Sequence, residues 1–305
     1  MQNKQYIWFD GKFVDFDNAN VHVLTHSLQY GSGVFEGLRA YATDRGPSIF
    51  RLDDHVNRLI NSAKTYDMDI GLSAEQLRDA VISTVRKNRL NECYIRPFSF
   101  YNDARIGVNP IGHKVSTIVA AVPFGNYFQN KSRGISCKIA SWFRINSQTL
   151  PPQAKASGNY LNSVLASLEA KKAGADEAIM LSEGGYVAEG SGENVFLVKD
   201  NVLVTPSAES DILLGITRDT VIKLARSAGI AVEERRVHRE ELYTCAEAFF
   251  TGTAAEITPI TRVDSRKVGR GHPGPVTGML SESYAKVVCG ESKEFEGWLT
   301  YLNKA

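Results

Sequence analysis

The chain lacks most of the features that mark metal clusters, disulfide scaffolds, membrane spans and nucleic-acid binders. Its four cysteines, Cys93, Cys137, Cys245 and Cys289, are far apart and form no CxxC pair. That spacing argues against a zinc site or a dense disulfide framework and makes buried free thiols the expectation. No run approaches the roughly 20 apolar residues of a membrane span. The N-terminal MQNKQYIWFDGKFVDF alternates polar and aromatic residues, where a signal peptide needs an unbroken apolar stretch of about 7 to 15 residues. Thirty-five basic residues against 34 acidic ones leave a formal net charge of +1, and no basic run or face is present to neutralise nucleic-acid phosphates. These absences predict a soluble cytoplasmic protein with no nucleic-acid or membrane partner.

What is present is length and ordinary globular patterning. The 305 residues suffice for about two domains of roughly 100 to 200 residues each. YIWFDGKFVDF reads as a hairpin around Asp10-Gly11, because that pair supplies the positive φ angles of a tight turn. SIFRLDDHVNRLINSAKTYDMDI gives a short strand and then a helix with Leu52, Val56, Leu59, Ile60 and Ala63 on one face. AEQLRDAVISTVRKN is a second amphipathic helix, and YIRPFSF and VSTIVAAVPF read as strands, the latter almost wholly apolar. PFGNYFQNKSRG has the composition of a connecting segment. The expected division is an N-terminal α/β domain over 1–123, a linker over 124–133, and a larger domain over 134–305.

In the larger part, EAIMLS, NVFLVK and VLVTP read as an antiparallel meander, with EGGYVAEGSGE between the first two strands and a turn at Asp200-Asn201. TRDTVIKLARSAG is a helix ending at Gly229. AVEERRV is a strand, EAFFTGTAAEITPITRV a strand-turn-strand unit, and PVTGMLSESYAKVVCG a helix with Pro275 in its first turn. The order predicts an α/β or α+β protein on mixed, largely antiparallel sheets.

Three features carry candidate chemistry, each with a plainer alternative. Lys155 sits among Ala154, Ala156, Ser157 and Gly158, small residues that let a ligand approach. A lysine amine is nucleophilic only when neutral, which desolvation or nearby positive charge favours; small neighbours also occur in ordinary loops. LLGITRDT places Ile216 and Thr217 at a helix start, where unpaired N–H groups and the helix dipole suit a phosphate; the alternative is a threonine N-cap. In EGGYVAEGSGENVFLV, Glu189 could partner a protonated ring nitrogen, with Gly190 and Gly192 leaving room for a flat ring; the alternative is a turn with exposed acids. An amine, a phosphate cup and such an acid are together the parts that hold pyridoxal phosphate.

With YGSGVFEGLRAY, YIRPFSF, KASGNYLNSVLASLEAKKAG, EGSGENVFLVKDNVLVTP, GITRD and TGTAAEITPI in this order, the chain resembles the class IV pyridoxal-phosphate aminotransferases of fold type IV. The likeness is strongest to the branched-chain amino acid aminotransferases. The resemblance implies two mixed α/β domains, the larger built around a pseudo-barrel of largely antiparallel strands and carrying a Schiff-base lysine, Lys155. It implies that Glu189 meets the cofactor's ring nitrogen, with Glu193 in support. Arg58, Ile216, Thr217 and Thr253 would bind its phosphate, and Tyr160 its ring oxygen. Tyr30, Phe35, Gly37, Arg39, Tyr94, Arg96, Tyr127 and Ala254 would form the substrate pocket, with Arg96 receiving the distal carboxylate of glutamate.

The implied reaction is transamination between branched-chain L-amino acids and 2-oxoglutarate by a cytoplasmic homodimer or higher oligomer. A D-amino acid aminotransferase, an (R)-amine aminotransferase and an aminodeoxychorismate lyase share the fold. A non-enzymatic phosphate-ligand binding protein is the alternative of another class. Two features depart from the family pattern: YNDARIGVNP, taken as an interdomain loop that is smaller in bacterial members, has Ile106 where a methionine is expected and an Arg105 without counterpart, and Phe124 replaces a tryptophan.

Overall fold

The structure is a computed structural model that describes residues 5–125, 127–128 and 133–302. Packing divides the chain into two units. One comprises Met1–Gly125, Ala154–Gly158 and Val287–Ala305; the other comprises Asn126–Gln153 and Asn159–Lys286.

The first unit begins with β1 (Tyr6–Phe9) and β2 (Lys12–Asp15), paired around Asp10 and Gly11 at φ of 46° and 87°. There follow α1 (His26–Tyr30), β3 (Gly33–Phe35), β4 (Leu38–Tyr41), β5 (Ser48–Phe50), α2 (Leu52–Thr65), α3 (Ala74–Asn88), β6 (Cys93–Tyr101) and β7 (Val115–Val122). The chain returns at Leu299–Tyr301 as the outer strand of an antiparallel sheet, which continues β5, β4, β6, β7, β1, β2, with β3 also on β6. Leu52, Val56, Leu59 and Ala63 of α2 are buried, and Ile60 packs against the same core. A capping box between Ser73 and Gln76 starts α3, satisfying two backbone donors that the helix itself leaves unpaired.

Two expectations change in this unit. The segment YNDARIGVNP is not an interdomain loop; it joins β6 to β7, whose register runs unbroken from Tyr94↔Val122 to Tyr101↔Val115. The Gly107 N–H donates to the Tyr30 hydroxyl (3.1 Å), and His26 Nε2 lies 3.2 Å from the Val108 carbonyl. The lysine segment was expected inside the 134–305 domain, yet it packs with the first unit. Ala156 bridges Val34, the Phe35 N–H donates to the Lys155 carbonyl (2.9 Å), and the Gly158 N–H donates to the Gly31 carbonyl (3.0 Å). A Cβ on Gly31, itself at φ 69°, would lie 2.9 Å from Gly158 Cα, so position 31 requires glycine for the backbones to meet.

The second unit contains β8 (Ile135–Ile139), α4 (Tyr160–Lys172), β9 (Glu177–Leu181), β10 (Val187–Gly190), β11 (Asn194–Lys199) and β12 (Val202–Pro206). It continues with α5 (Ile216–Ser227), β13 (Val232–Arg235), α6 (Glu241–Thr244), β14 (Glu247–Gly252), β15 (Glu256–Val263), β16 (Arg266–Lys267) and α7 (Pro275–Val288). The strand order β10, β9, β8, β15, β14, β11 closes on itself through β10–β11, the barrel-like sheet expected from the resemblance. β8 runs parallel to both neighbours and β13 parallel to β12, and the other pairings are antiparallel. Ile135, Ile179, Val195, Leu197, Phe250 and Ile260 are among its core. EGGYVAEGSGE is therefore more than a connection, since β10 lies inside it and pairs with both β9 and β11.

Helix α4 turns its small residues to the sheet. Ser163, Ala166 and Ala170 are buried, the alanines packing with Ala140, Ala178 and Met180, while Leu161, Val164, Leu165 and Leu168 are exposed. Small side chains let the helix lie close on the strands, and the leucines are left outward. Of the cysteines, three are buried and Cys289 is exposed, against the expectation of four buried thiols. Among the described residues no helix is long and apolar enough to cross a membrane.

Candidate active site

Lys155 is fixed through its backbone: its carbonyl accepts from Phe35 at the end of β3, and its N–H donates to Ser62 Oγ on α2 (3.0 Å). Buried Ala154 and Ala156 flank it, and its ammonium lies 5.1 Å from the Phe35 ring centroid. The amine thus sits half-buried against an aromatic face, on a segment that neighbouring elements hold rigidly.

Next to Phe35, Glu36 is wholly buried. Arg58 donates through Nε to Oε1 (2.6 Å) and through Nη2 to Oε2 (2.8 Å); Oε2 also accepts from His55 Nδ1 (2.7 Å) and the Gly37 N–H (3.2 Å). Burial alone would raise the Glu36 pKa, but the Arg58 guanidinium and then His55 more than offset it and hold the carboxyl well below the usual carboxylate range. Burial pushes the His55 imidazole below its ordinary value, with Glu36 opposing and the Arg58 and Lys155 charges adding to the fall. His55 is then neutral near pH 7, and because an ionised carboxylate only accepts, Nδ1 carries the proton. Neither Glu36 nor His55 was among the expected site residues. The available signal was an acid set between Phe35 and Gly37 in an apolar stretch, with His55 one helical turn before Arg58.

Five of the expected pocket residues, Phe35, Gly37, Arg39, Tyr94 and Arg96, form a connected group in this unit. The Arg96 guanidinium lies 4.6 Å from the Phe35 ring centroid and donates to the Tyr94 hydroxyl (3.0 Å). A Cβ on Gly37 would fall 2.0 Å from that hydroxyl. Arg39 lies over the rings of Tyr41 and Phe124, at 5.0 and 5.5 Å, and Phe124 meets Tyr94 at 5.0 Å. Tyr30 engages the loop after β6 through Gly107, and Arg105 in that loop is largely exposed, 3.9 Å from Asp103.

In the second unit Glu189 lies on β10, buried, as is Glu193, so the alternative of a turn with exposed acids does not hold. Glu189 Oε2 accepts from Asn194 Nδ2 and from the Leu213 N–H, both at 3.0 Å. Arg144 Nε is 2.7 Å from Oε1, a close ion pair without a directed hydrogen bond. Gly190 does not leave room for a ring, because a Cβ there would lie 2.8 Å from Glu193 and 2.9 Å from Phe250; at Gly192 the space is open. Asn194 ties Glu189 to the start of α5: it also donates to the Leu213 carbonyl (2.8 Å), and its Oδ1 occupies the place of a Cβ at 215, at 2.0 Å. The cap of α5 is accordingly Gly215, with no side-chain capping bond, and Thr217 is not an N-cap residue. It lies buried in the first turn with Ile216, where the leading N–H groups have no partner within the helix.

Thr253 and Ala254 occupy the turn between β14 and β15, and Tyr160 opens α4. Tyr127 is exposed, edge-on to Phe128. The Thr251 hydroxyl, opposite Asn194 in register, is buried without a hydrogen-bond partner. Sequence reasoning missed Arg144 and Asn194; a cation in SWFR and an amide after Glu193 are weak signals alone.

These donor sets match the parts of pyridoxal phosphate: an amine for its aldehyde and a guanidinium for its phosphate in the first unit, a buried carboxylate for its ring nitrogen and an uncapped helix start in the second. Residues 33–263 match the sequence family described as amino-transferase class IV. The branched-chain-amino-acid aminotransferase of Pseudomonas aeruginosa is 46% identical over 97% of each chain. The crystal structure of the Escherichia coli enzyme superposes with a TM-score of 0.96 at 44% identity, covering 98% of this chain and 100% of that one. The T.th. branched-chain amino acid aminotransferase complexed with N-(5'-phosphopyridoxyl)-L-glutamate gives a TM-score of 0.95 at 46% identity, covering 98% and 99%.

Proposed function

Since the chain belongs to the class IV amino-transferases, we propose that it is a pyridoxal-phosphate-dependent branched-chain aminotransferase. It exchanges the amino group of L-leucine, L-isoleucine or L-valine with 2-oxoglutarate, giving a branched 2-oxo acid and L-glutamate. The observation that carries this reading is the setting of Phe35, whose ring lies beside both the Lys155 amine and the Arg96 guanidinium. An apolar ring suits a branched aliphatic side chain, and an arginine suits the second carboxylate of glutamate.

In this reading Lys155 holds the cofactor covalently. With substrate bound, the Lys155 amine would take the proton from the substrate Cα as a base and deliver it to the cofactor side as an acid. Pyridoxal phosphate, when bound, supplies an electron sink that acidifies that Cα. Glu189, its second oxygen fixed by Asn194 and Leu213, accepts the ring N–H, and Glu193 supports it. Arg58, Ile216, Thr217 and Thr253 bind the phosphate, and Tyr160 the ring oxygen. Tyr30, Gly37, Arg39, Tyr94, Tyr127 and Ala254 complete the substrate site with Phe35 and Arg96.

A cytoplasmic homodimer is part of the same proposal. In support, Leu161, Val164, Leu165 and Leu168 form an exposed apolar face, and a cavity of about 290 Å³ is lined by Ile7, Phe9, Val21, Leu28, Phe98 and Phe100. Large exposed apolar patches mark interaction sites. An assay of purified protein with 2-oxoglutarate and L-leucine, L-isoleucine, L-valine or D-alanine tests the reaction. Glutamate formation from the three L-substrates is expected, and turnover of D-alanine alone would reject it.

A further inference from the structure

Arg58 is assigned above to the cofactor's phosphate, yet two of its donors are taken by a carboxylate. Two donors of its fork, Nε and Nη2, point at the two oxygens of Glu36. A planar guanidinium gripped along one edge in this way has its plane and its outward direction fixed. Glu36 is itself immobilised. Its backbone N–H donates to the Pro97 carbonyl on β6 (2.9 Å), and Oε2 takes further donors from His55 and the Gly37 N–H. His55 and Arg58 are neighbours on α2, so one helix supplies both side chains that close on the acid.

We infer that Glu36 is a positioning residue for phosphate recognition: it does not touch the cofactor but aims Arg58, fixing the plane of its guanidinium through the Nε–Nη2 edge. The inference rests on the phosphate assignment of Arg58. A surface ion pair would not have this effect, because exposed pairs exchange partners with water and hold no fixed geometry. Here the acid is fully enclosed and the arginine only 16% exposed. Neutral His55 adds a donor to Glu36 without adding a second positive charge.

The experiment titrates the full-length chain, freed of cofactor, with pyridoxal 5'-phosphate and with pyridoxal, which lacks the phosphate. Glu36→Gln is expected to weaken pyridoxal phosphate by about tenfold or more, the scale on which outer partners of a ligating group act, and to change pyridoxal by less than about threefold. In an Arg58→Lys background, where the two-pronged grip cannot form, the same change should add little further loss. Equal effects on both ligands, tighter phosphate binding, or a full effect persisting in the Arg58→Lys background would overturn the inference. If Arg58→Lys alone left the preference for pyridoxal phosphate over pyridoxal unchanged, the phosphate assignment of Arg58 would fall instead. Should Glu36→Gln not fold, Glu36→Asp retains the charge but retracts it by one methylene, and the same comparison applies.

Discussion

Each unit buries a carboxylate against an arginine, and the two pairs are built to different ends. Glu36, wholly enclosed, takes four hydrogen bonds, two of them from Arg58. Glu189 accepts hydrogen bonds on Oε2 from an amide and a backbone N–H, while Arg144 approaches Oε1 closely. On the proposed roles, the arginine works and the acid supports it in the first unit, and the reverse holds in the second. A buried pair therefore does not by itself announce which partner is functional.

The comparison can be broken most severely at the lysine of the first unit. Lys155→Ala should lower turnover by about a thousandfold or more and remove the cofactor's absorbance near about 400 nm, because nucleophile and proton carrier are lost together. Glu189→Gln should lower kcat by about a hundredfold, the scale of removing one preorganised electrostatic contact, while most bound cofactor is retained. Loss of cofactor in proportion to kcat would mean that Glu189 supports rather than works. Arg144→Leu leaves Glu189 buried without its cation and should cost about 3 to 5 kcal/mol of stability, read as a lower thermal midpoint.

Acid should act on the units differently. His55 and Glu36 both have folded-state pKa values below their ordinary ones. Their stabilisation is present at neutral pH and is lost on acidification, from about pH 6.5 for His55 and from about pH 4.3 for Glu36. In the second unit Glu241, held at about 2 chiefly by the Arg235 hydrogen bond, behaves like Glu36. Glu177, pushed up by burial, does the opposite and becomes less costly as pH falls. Hydrogen exchange between pH 7 and 5 should therefore show protection falling first around α2. The smallest effect is expected at Gly37→Ala, where the new methyl displaces the end of the Tyr94 side chain. A loss of about 1 kcal/mol and a raised KM for 2-oxoglutarate, with kcat little changed, are expected from steady-state kinetics.

The parts legible in the sequence were those written locally. The apolar spacing of α2 placed Leu52, Val56, Leu59 and Ala63 correctly, and Asp10-Gly11 and Asp200-Asn201 adopt the positive φ angles their types favour. Gly229, at φ 74°, ends α5 as its position suggested. The motifs also identified the family, because their order along the chain is itself sequence information. Helix α4 offers two apolar faces, and the sheet takes the alanines; periodicity does not say which of two such faces a neighbour can approach more closely.

The sequence by itself determined the longer amphipathic helices, the tight turns and the residue types able to hold a phosphorylated aldehyde. Only the tertiary structure decided that Lys155 packs with β3 and α2, that Asn194 links Glu189 to the start of α5, and that Glu36 grips Arg58 across a separation of 22 residues. The physical reason is range. Helical and turn preferences depend on neighbours a few residues away, whereas the partner of a buried charge is chosen by whichever distant donor the completed fold brings within about 3 Å of it.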